Sequence, residues 1–434
     1  MLPGQGVIDL GLLVVVLEFR EIDHLVAARV GGLAIDLKHR LVGGETHRDS
    51  VAQAGGPRCV GAVGGPKAGP GEDSRSYHGR AFPGGNWTMK VLLKERPGPG
   101  LVLRDLAPPR IENADDVLFR VEYCAICVGE TKVYDWTDWA ANDRTLSLPA
   151  VLGHEASGIV VEVGPGVKNF RPGDRIVNDP LIHCGACGPC RDGDTNLCEH
   201  REIYGKKRGA FAEYAVLPER AVCGLSAKLS LEEGAVLENL GIAVHAAEAV
   251  HHEPGDWAVI LGGGGPIGIL AAQVLTAWGV NTILTDVSPA RLKLAEAVSG
   301  AIVVDARQGG VLERVMDATG GRGAEFVIEM GANQAVWDEA FRVVRPRGTV
   351  VTIGTFDEPV RFNPFFAMTR REVRVVSTMG RNGRTWRRMN RLIEAGKLRL
   401  RPLISAVLPI EEFDRGFELV KSHDTAKVLL RAGQ

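Results

Sequence analysis

Four cysteines, Cys184, Cys187, Cys190 and Cys198, fall within one short stretch of the chain. Thiolates spaced C-x-x-C-x-x-C with a fourth close behind close a tetrahedral zinc site and leave no position for a substrate, so the loop reads as a structural metal site. A second stretch, Gly262-Gly263-Gly264-Gly265-Pro266-Ile267-Gly268, follows an apolar segment and opens a helical pattern. As G-x-G-x-x-G it uses Gly263 for a tight turn, Gly265 for backbone approach to a pyrophosphate, and Gly268 for close helix packing. The frame is open by one residue, so Gly262 and Gly264 stand beside them. The first helical residues, Ile267 among them, offer free N–H groups and a positive dipole end to phosphates. Asp286 then ends the next apolar segment, where an acid accepts hydrogen bonds from ribose hydroxyls. A carboxylate there repels a 2′-phosphate and favours NAD over NADP, with nearby Arg291 as the opposing signal.

These residues need elements to hold them. Around the glycines the chain alternates strand-like and helical runs: 258–261, 266–278, 282–285, 289–298, then 326–328 and 350–353. Such alternation predicts a doubly wound parallel sheet. Gly331, Ala332, Ile353 and Gly354, at the ends of its later strands, are placed by that topology near the nicotinamide end of a bound dinucleotide. From Met89 to Glu238 short segments punctuated by Gly and Pro predict a β-rich region with little room for long helices, including strands at 90–94 and 117–121. The tail is helical from Trp386, is broken at Pro402 and Pro409, and ends in a strand at 427–430 that is expected to return to the β-rich region. The expected division is 89–242, completed by 380–434, with 243–379 as the dinucleotide unit.

Residues 1–88 differ in texture, with Gly- and Pro-rich runs such as Gly55-Gly56-Pro57 and Gly64-Gly65-Pro66. They are expected to be a poorly ordered appendage, either a natural tail or a non-native extension ahead of Met89. The chain has 434 residues, 45% hydrophobic and 24% charged, with a formal net charge of -2, ordinary for a soluble globular protein. No basic field is available to hold a nucleic acid. The apolar stretch at 10–17 is too short to span a bilayer and no Lys or Arg precedes it as a signal peptide requires, so a cytoplasmic protein with no membrane partner is expected.

With the cysteine loop and glycine motif in hand, nearly all of 89–434 resembles the zinc-containing medium-chain alcohol dehydrogenases. Cys124-Ala125-Ile126-Cys127 resembles the family stretch that supplies the first catalytic zinc ligand, and Gly153-His154-Glu155 resembles its Gly-His-Glu motif. The resemblance implies an α/β protein with a β-rich GroES-like catalytic domain and a Rossmann cofactor domain. It implies two zinc ions per chain, one catalytic and one structural, with NAD, and a homo-oligomer, dimer or tetramer. Cys127, His154 and Glu155 are the implied catalytic ligands. Glu238, where simple-alcohol enzymes commonly place a Cys, points to the polyol or threonine dehydrogenase branch, and is either a fourth ligand or the holder of a metal-bound water. The chemistry implied is Lewis-acid activation of an alcohol whose hydride passes to NAD.

The substrate expected is a secondary alcohol in a polyol or sugar, with L-threonine or a vicinal diol as the alternative. A carboxylate-containing metal shell suits a hydroxyl-rich molecule, as do Glu130 and Lys132, the latter replacing a frequent family His. The family's relay hydroxyl is absent, because Gly129 occupies its place; the proton is then expected to reach Glu155 or Glu238 through water, with Lys132 tuning the field. A non-catalytic nucleotide-binding relative is the alternative of another class.

Overall fold

The computed structural model describes residues 87–432 and, upstream, only the residues of six short strands between 5 and 34. Met1–Ala54 is one compact unit and Gly55–Gln434 another. In the first, Gln5–Asp9 pairs antiparallel with Val14–Glu18, Arg20–Ile22 with Leu25–Ala27, and Arg29–Val30 with Leu33–Ala34. Residues 35–86, on which the expectation of a disordered appendage mostly falls, lie outside the described residues.

In the second unit a six-stranded parallel sheet runs in the order Ile302–Asp305, Asn281–Asp286, Trp257–Leu261, Ala324–Glu329, Val344–Thr352, Arg374–Ser377. The central strand shows why the sequence folds this way. Ala258 and Ile260 enter one apolar core with the Leu237–Glu248, Pro266–Ala277 and Gly383–Glu394 helices. Val259 and Leu261 enter the opposite core with Val315, Trp337 and Phe341. A strand whose alternate side chains serve two cores is apolar throughout, as parallel sheets covered on both faces require. Trp257–Leu261 is followed in sequence by its neighbour on one side, and later by Ala324–Glu329 on the other, so the glycine turn opens at the crevice where strand order reverses.

The β-rich part is a mixed sheet in the order Val222–Gly224, Arg175–Asn178, Ala156–Val163, Asp116–Ala125, Lys427–Arg431, Ile404–Pro409, with Tyr214–Pro218 also pairing to Asp116–Ala125. The terminal strand lies antiparallel to Asp116–Ala125, with Leu430 opposite Cys124. This places a distant segment directly behind the Cys127 and His154 region. The α/β architecture expected from sequence is present. The helix Leu237–Glu248 was not anticipated, and the fifth strand of the parallel sheet, Val344–Thr352, starts earlier than expected and stops before Ile353.

Candidate active site

Cys127 caps the helix Val128–Asp135, its Sγ accepting from Gly129 N at 3.4 Å while Glu130 Oε2 accepts from Cys127 N at 3.0 Å. This reciprocal capping box fixes the cysteine at the helix start. Glu130 reaches further: its Oε1 accepts from Gly153 N at 2.8 Å and lies 2.8 Å from His154 Nδ1. Holding Nδ1 there directs Nε2 away as the free ligand nitrogen. Burial opposes charge on His154, yet the Glu130 carboxylate raises its pKa well above the ordinary histidine range. Glu130 is therefore a buried organiser of Cys127 and His154 rather than an open charge that suits a hydroxyl-rich substrate: its side chain is 6% exposed and both its oxygens are engaged.

Gly153 turns the chain with φ +90°, and a Cβ there would stand 2.6 Å from Phe211 N and 2.9 Å from Cys124 Sγ. Asn178, on the next strand, accepts from Ala156 N at 2.6 Å and donates to His154 O at 2.8 Å, clamping the backbone on both sides of Glu155. The ligand atoms of Cys127, His154 and Glu155 all lie within 4.8 Å of one another.

Glu155 is anchored from behind. Lys427 Nζ donates to its Oε1 at 2.8 Å and Asn239 Nδ2 to the same oxygen at 3.2 Å. Burial pushes the Glu155 pKa up, against the pull of Lys427, and the carboxylate in turn raises Lys427 against its own burial. Asn239 Nδ2 also donates to Glu238 Oε2 at 2.7 Å, and Glu238 Oε1 is 3.0 Å from Arg381 Nη1. Glu238 thus stands beside the group of three rather than within it. Burial favours its neutral form, but Arg381 holds the carboxyl below the usual range. Arg381 is fully buried between Glu238 and Asp179, and Asp179 Oδ2 also accepts from Trp386 Nε1 at 2.8 Å.

Charge tests whether a metal fits. Glu130, Glu155, Asp179 and Glu238 are buried carboxylates facing two buried fixed cations, Arg381 and Lys427, and the His154 ring beside Glu130. Together with an ionisable Cys127 thiol, that excess of negative charge suits a dication held by sulfur, nitrogen and oxygen.

The ligand atoms of Cys184, Cys187, Cys190 and Cys198 also lie within 4.8 Å of one another, with Cys187 and Cys198 sulfurs 3.8 Å apart. A tetrahedron with metal–sulfur bonds of about 2.3 Å has edges of about 3.8 Å, whereas a disulfide is about 2.05 Å long. N–H groups of Ala186 and Cys187 donate to Cys184 Sγ and pull that thiol down to about 6.

At the glycine turn, Gly262 has φ +71° and backs onto Gly331, which a Cβ would approach to 2.9 Å. Gly268 packs on Gly263, where a Cβ would lie 2.2 Å from the carbonyl oxygen. Gly265, the N-cap of the Pro266–Ala277 helix, has open space where its Cβ would stand, which leaves the helix N-terminus accessible to phosphate beside Ile267. Asp286 accepts from Gly264 N at 2.8 Å through Oδ2, and from Val287 N and Ser288 N at 2.8 and 2.9 Å through Oδ1. The carboxylate shapes the turn, and Oδ2 keeps one lone pair uncommitted. Arg291 is committed through Nε to Thr425 O at 3.0 Å. Ala332, with φ +51°, donates its N–H to Glu329 Oε1 at 2.6 Å beside Gly354. Ile353 N donates to Glu329 O at 3.3 Å. Lys132 is not free in the cleft: its Nζ donates to Asp357 Oδ1 at 2.6 Å.

Sequence reasoning missed Asn178, Asn239, Arg381, Lys427 and the organising role of Glu130. Only Glu130 carried a local signal, an acid three residues after a capping side chain.

Fold and clusters define a zinc-binding oxidoreductase built from a β-rich part and a dinucleotide-binding part. The alcohol dehydrogenase GroES-like domain matches residues 113–227, and the zinc-binding dehydrogenase domain matches 266–395. The L-threonine 3-dehydrogenase of Bacillus velezensis is 33% identical over 79% of this chain and 98% of its own. The probable D-xylulose reductase A of Arthroderma otae is 34% identical over 79% and 94%. Among solved structures, a Sinorhizobium meliloti protein assigned as a zinc-binding dehydrogenase, with NADP bound, superposes with TM-score 0.72 at 30% identity over 79% of this chain and 99% of its own. The chain belongs to the zinc-containing medium-chain alcohol dehydrogenase family. It is accordingly a zinc-dependent, nicotinamide-linked oxidoreductase acting on the CH–OH group of a small-molecule alcohol.

Proposed function

We propose that the protein oxidises a secondary alcohol within a polyol or sugar, using NAD, with Cys127, His154 and Glu155 holding the catalytic zinc and the four-cysteine loop holding a structural one. The observation that carries this reading is the meeting of a thiol, an imidazole and a carboxylate within 4.8 Å, with the carboxylate anchored by a buried lysine. A zinc ion in that set supplies a Lewis acid for the substrate hydroxyl. The chain's own contribution is positional. Glu130 orients His154, Lys427 and Asn239 orient Glu155, and Arg381 keeps Glu238 ionised beside them as the group that holds water. Gly129 offers no hydroxyl, so the substrate proton passes through water to Glu155 or Glu238.

NAD is favoured over NADP because Asp286 presents a negative charge to the adenosine ribose, while Arg291 is drawn to Thr425 O. The S. meliloti relative, solved with NADP, is the observation on the other side. The D-xylulose reductase relative supports a polyol, and the threonine dehydrogenase relative the runner-up.

The same reading divides the chain into a catalytic unit of 89–242 completed by 380–434, a dinucleotide unit of 243–379, and an N-terminal extension of 1–88 that is dispensable for activity. A homo-oligomer is supported by the edge strand Arg374–Ser377, which has one neighbour in its sheet, and by exposed Phe365 and Phe366 nearby. No helix among the described residues is long and apolar enough to cross a membrane. A reducing, cytoplasmic setting is supported by four clustered thiols at metal-site spacing.

The test is zinc analysis of the purified protein with a screen of NAD and NADP reduction against xylitol, sorbitol, threitol, inositols, 2,3-butanediol and L-threonine. Two zinc ions per chain and fastest NAD reduction with a polyol are expected. Exclusive use of L-threonine or a marked NADP preference would overturn the substrate or cofactor assignment.

A further inference from the structure

Lys132 projects from the helix that Cys127 caps, and Asp357 lies on the loop that follows the Val344–Thr352 strand of the parallel sheet. Their 2.6 Å contact therefore crosses the cleft between the metal-holding part and the dinucleotide part. Both ends are anchored. The helix is fixed by the Cys127 and Glu130 capping box. On the other side, Phe356 and Phe362 both meet the Trp337 ring, with centroids 5.8 and 5.6 Å away. Arg361 N donates to Gln334 Oε1 at 2.7 Å, and Gln334 Nε2 donates back to Arg361 O at 2.9 Å. Asp357 is thus the tip of a loop held on both flanks, just beyond Ile353 and Gly354. The pair lines a cavity of about 730 Å³ together with residues from both sides that include Trp139, Asn142, Phe356 and Glu358.

We propose that the Lys132–Asp357 ion pair sets the separation between Cys127 and the nicotinamide end of the crevice, which makes both residues positioning residues for hydride transfer. The inference rests on the dehydrogenase reading above. Lys132 and Asp357 side chains are 25% and 62% exposed, so the pair is screened and contributes little to stability. Geometry is where it acts. Reacting atoms must approach to about 3–3.5 Å, and a misplacement of about 1 Å costs on the order of 100-fold in rate. A weak contact between two ordered supports biases that distance by its own small free energy, enough for a few-fold effect on rate. A proton-relay role for Lys132 is the competing account, and it makes a different prediction when the charges are exchanged.

The experiment uses the full-length, zinc-loaded protein and whichever of xylitol, sorbitol, threitol, myo-inositol or L-threonine the wild type oxidises fastest. K132D, D357K, the exchanged pair K132D/D357K and the neutral pair K132Q/D357N are compared for kcat, KM, deuterium isotope effect, thermal midpoint and NADH affinity. Amide hydrogen exchange across residues 353–361 is measured with NADH bound, a readout independent of turnover.

Each single variant should lose a few-fold in kcat, up to about fivefold, with a larger isotope effect, unchanged thermal midpoint and faster exchange in the loop. The exchanged pair should recover most of that loss and restore slow exchange. Added salt should lower wild-type kcat, since the Debye length shrinks to about 3 Å at 1 M, and should leave K132Q/D357N unaffected. Normal rates and exchange in D357K would overturn the proposal. So would an exchanged pair as slow as K132D alone, which assigns Lys132 to substrate or proton instead. Wild-type protein that fails to bind NADH would overturn the dehydrogenase reading and this inference together.

Discussion

Lys427 Nζ stands 2.8 Å from Glu155 Oε1, and the two side chains are 4% and 0% exposed. Removing one member of a buried pair leaves an uncompensated charge, at a cost of about 3–5 kcal/mol. Lys427→Met should therefore lower the thermal midpoint sharply in chelator-treated protein. Zinc at the Cys127, His154 and Glu155 set would offset the orphaned carboxylate, so the drop should be smaller in the zinc-loaded form. Calorimetry of both forms checks this. Equal drops with and without metal would show that Glu155 does not face the ion.

Glu130 bonds to the Cys127 and Gly153 amides and to His154 Nδ1. Groups that orient a metal-bound histidine typically account for about 10–100-fold in metal affinity. Glu130→Ala should lose that factor in a competition titration against a chromogenic chelator. The helix cap weakens as well, for about 1 kcal/mol of stability. Unchanged zinc affinity would mean that the Glu130–His154 contact does not orient a ligand.

Much of this site was legible as residue types and little of it as partners. The cysteine loop and the glycine turn are local, so their spacing alone carried their chemistry. Lys427 reads as one more charge ahead of Val428-Leu429-Leu430, and nothing nearby tells that its strand lies behind Cys124. Arg381 is similarly opaque, because Glu238 and Asp179 come to it from far along the chain. Gly241 lies against it so closely that a Cβ would stand 2.2 Å from Arg381 Cδ. The four inner strands of the parallel sheet were readable because they are apolar on both faces, whereas the half-buried edge strands Ile302–Asp305 and Arg374–Ser377 were not. The Leu237–Glu248 helix was not, since it is buried nearly all round and has no polar face to mark a 3.6-residue period.

Asp286 holds the glycine turn through Gly264 N, and the proposed ribose contact would add a second role. Asp286→Ser removes charge-assisted bonds worth about 1.5–3 kcal/mol each. NAD affinity should fall by roughly tenfold or more by the same reckoning. NADP should lose less, because the repulsion of its 2′-phosphate disappears, so the NAD-to-NADP ratio of kcat/KM narrows. Equal losses for both cofactors would confine Asp286 to the turn.

Cys190 is buried, and burial holds its thiol up at about 12 when no metal is near. Burial disfavours the thiolate, and a metal ion beside it favours it. Cys190→Ser should bring zinc content from two ions per chain to one, lower the thermal midpoint, and leave the Cys127 site able to bind metal. Retention of both ions would remove the loop from the metal assignment.

Gly129 occupies the place where the family's relay hydroxyl is expected, and the structure leaves room for one. A Cβ there would meet only Cys127 Sγ, at 3.7 Å, an ordinary contact, and serine is the better helix former of the two. Gly129→Ser should therefore fold and bind zinc as the wild type does. What it changes is the proton's route. In the proposed route, water carries the proton from that space to Glu155 or to Glu238, and Arg381 holds Glu238 ionised. Glu238→Gln removes that acceptor, and a positioned acid–base group contributes about 10²–10⁴-fold, so kcat should fall into that range with zinc content intact. The double variant Gly129→Ser/Glu238→Gln separates proton transfer from disturbance of the Arg381 pair. A hydroxyl beside Cys127 restores a path to solvent but cannot rebuild a lost ion pair, so rate should recover while thermal stability stays at the Glu238→Gln level. Recovery of neither would assign Glu238 to the architecture around Arg381, and wild-type rates in Glu238→Gln alone would send the proton to Glu155 or bulk solvent.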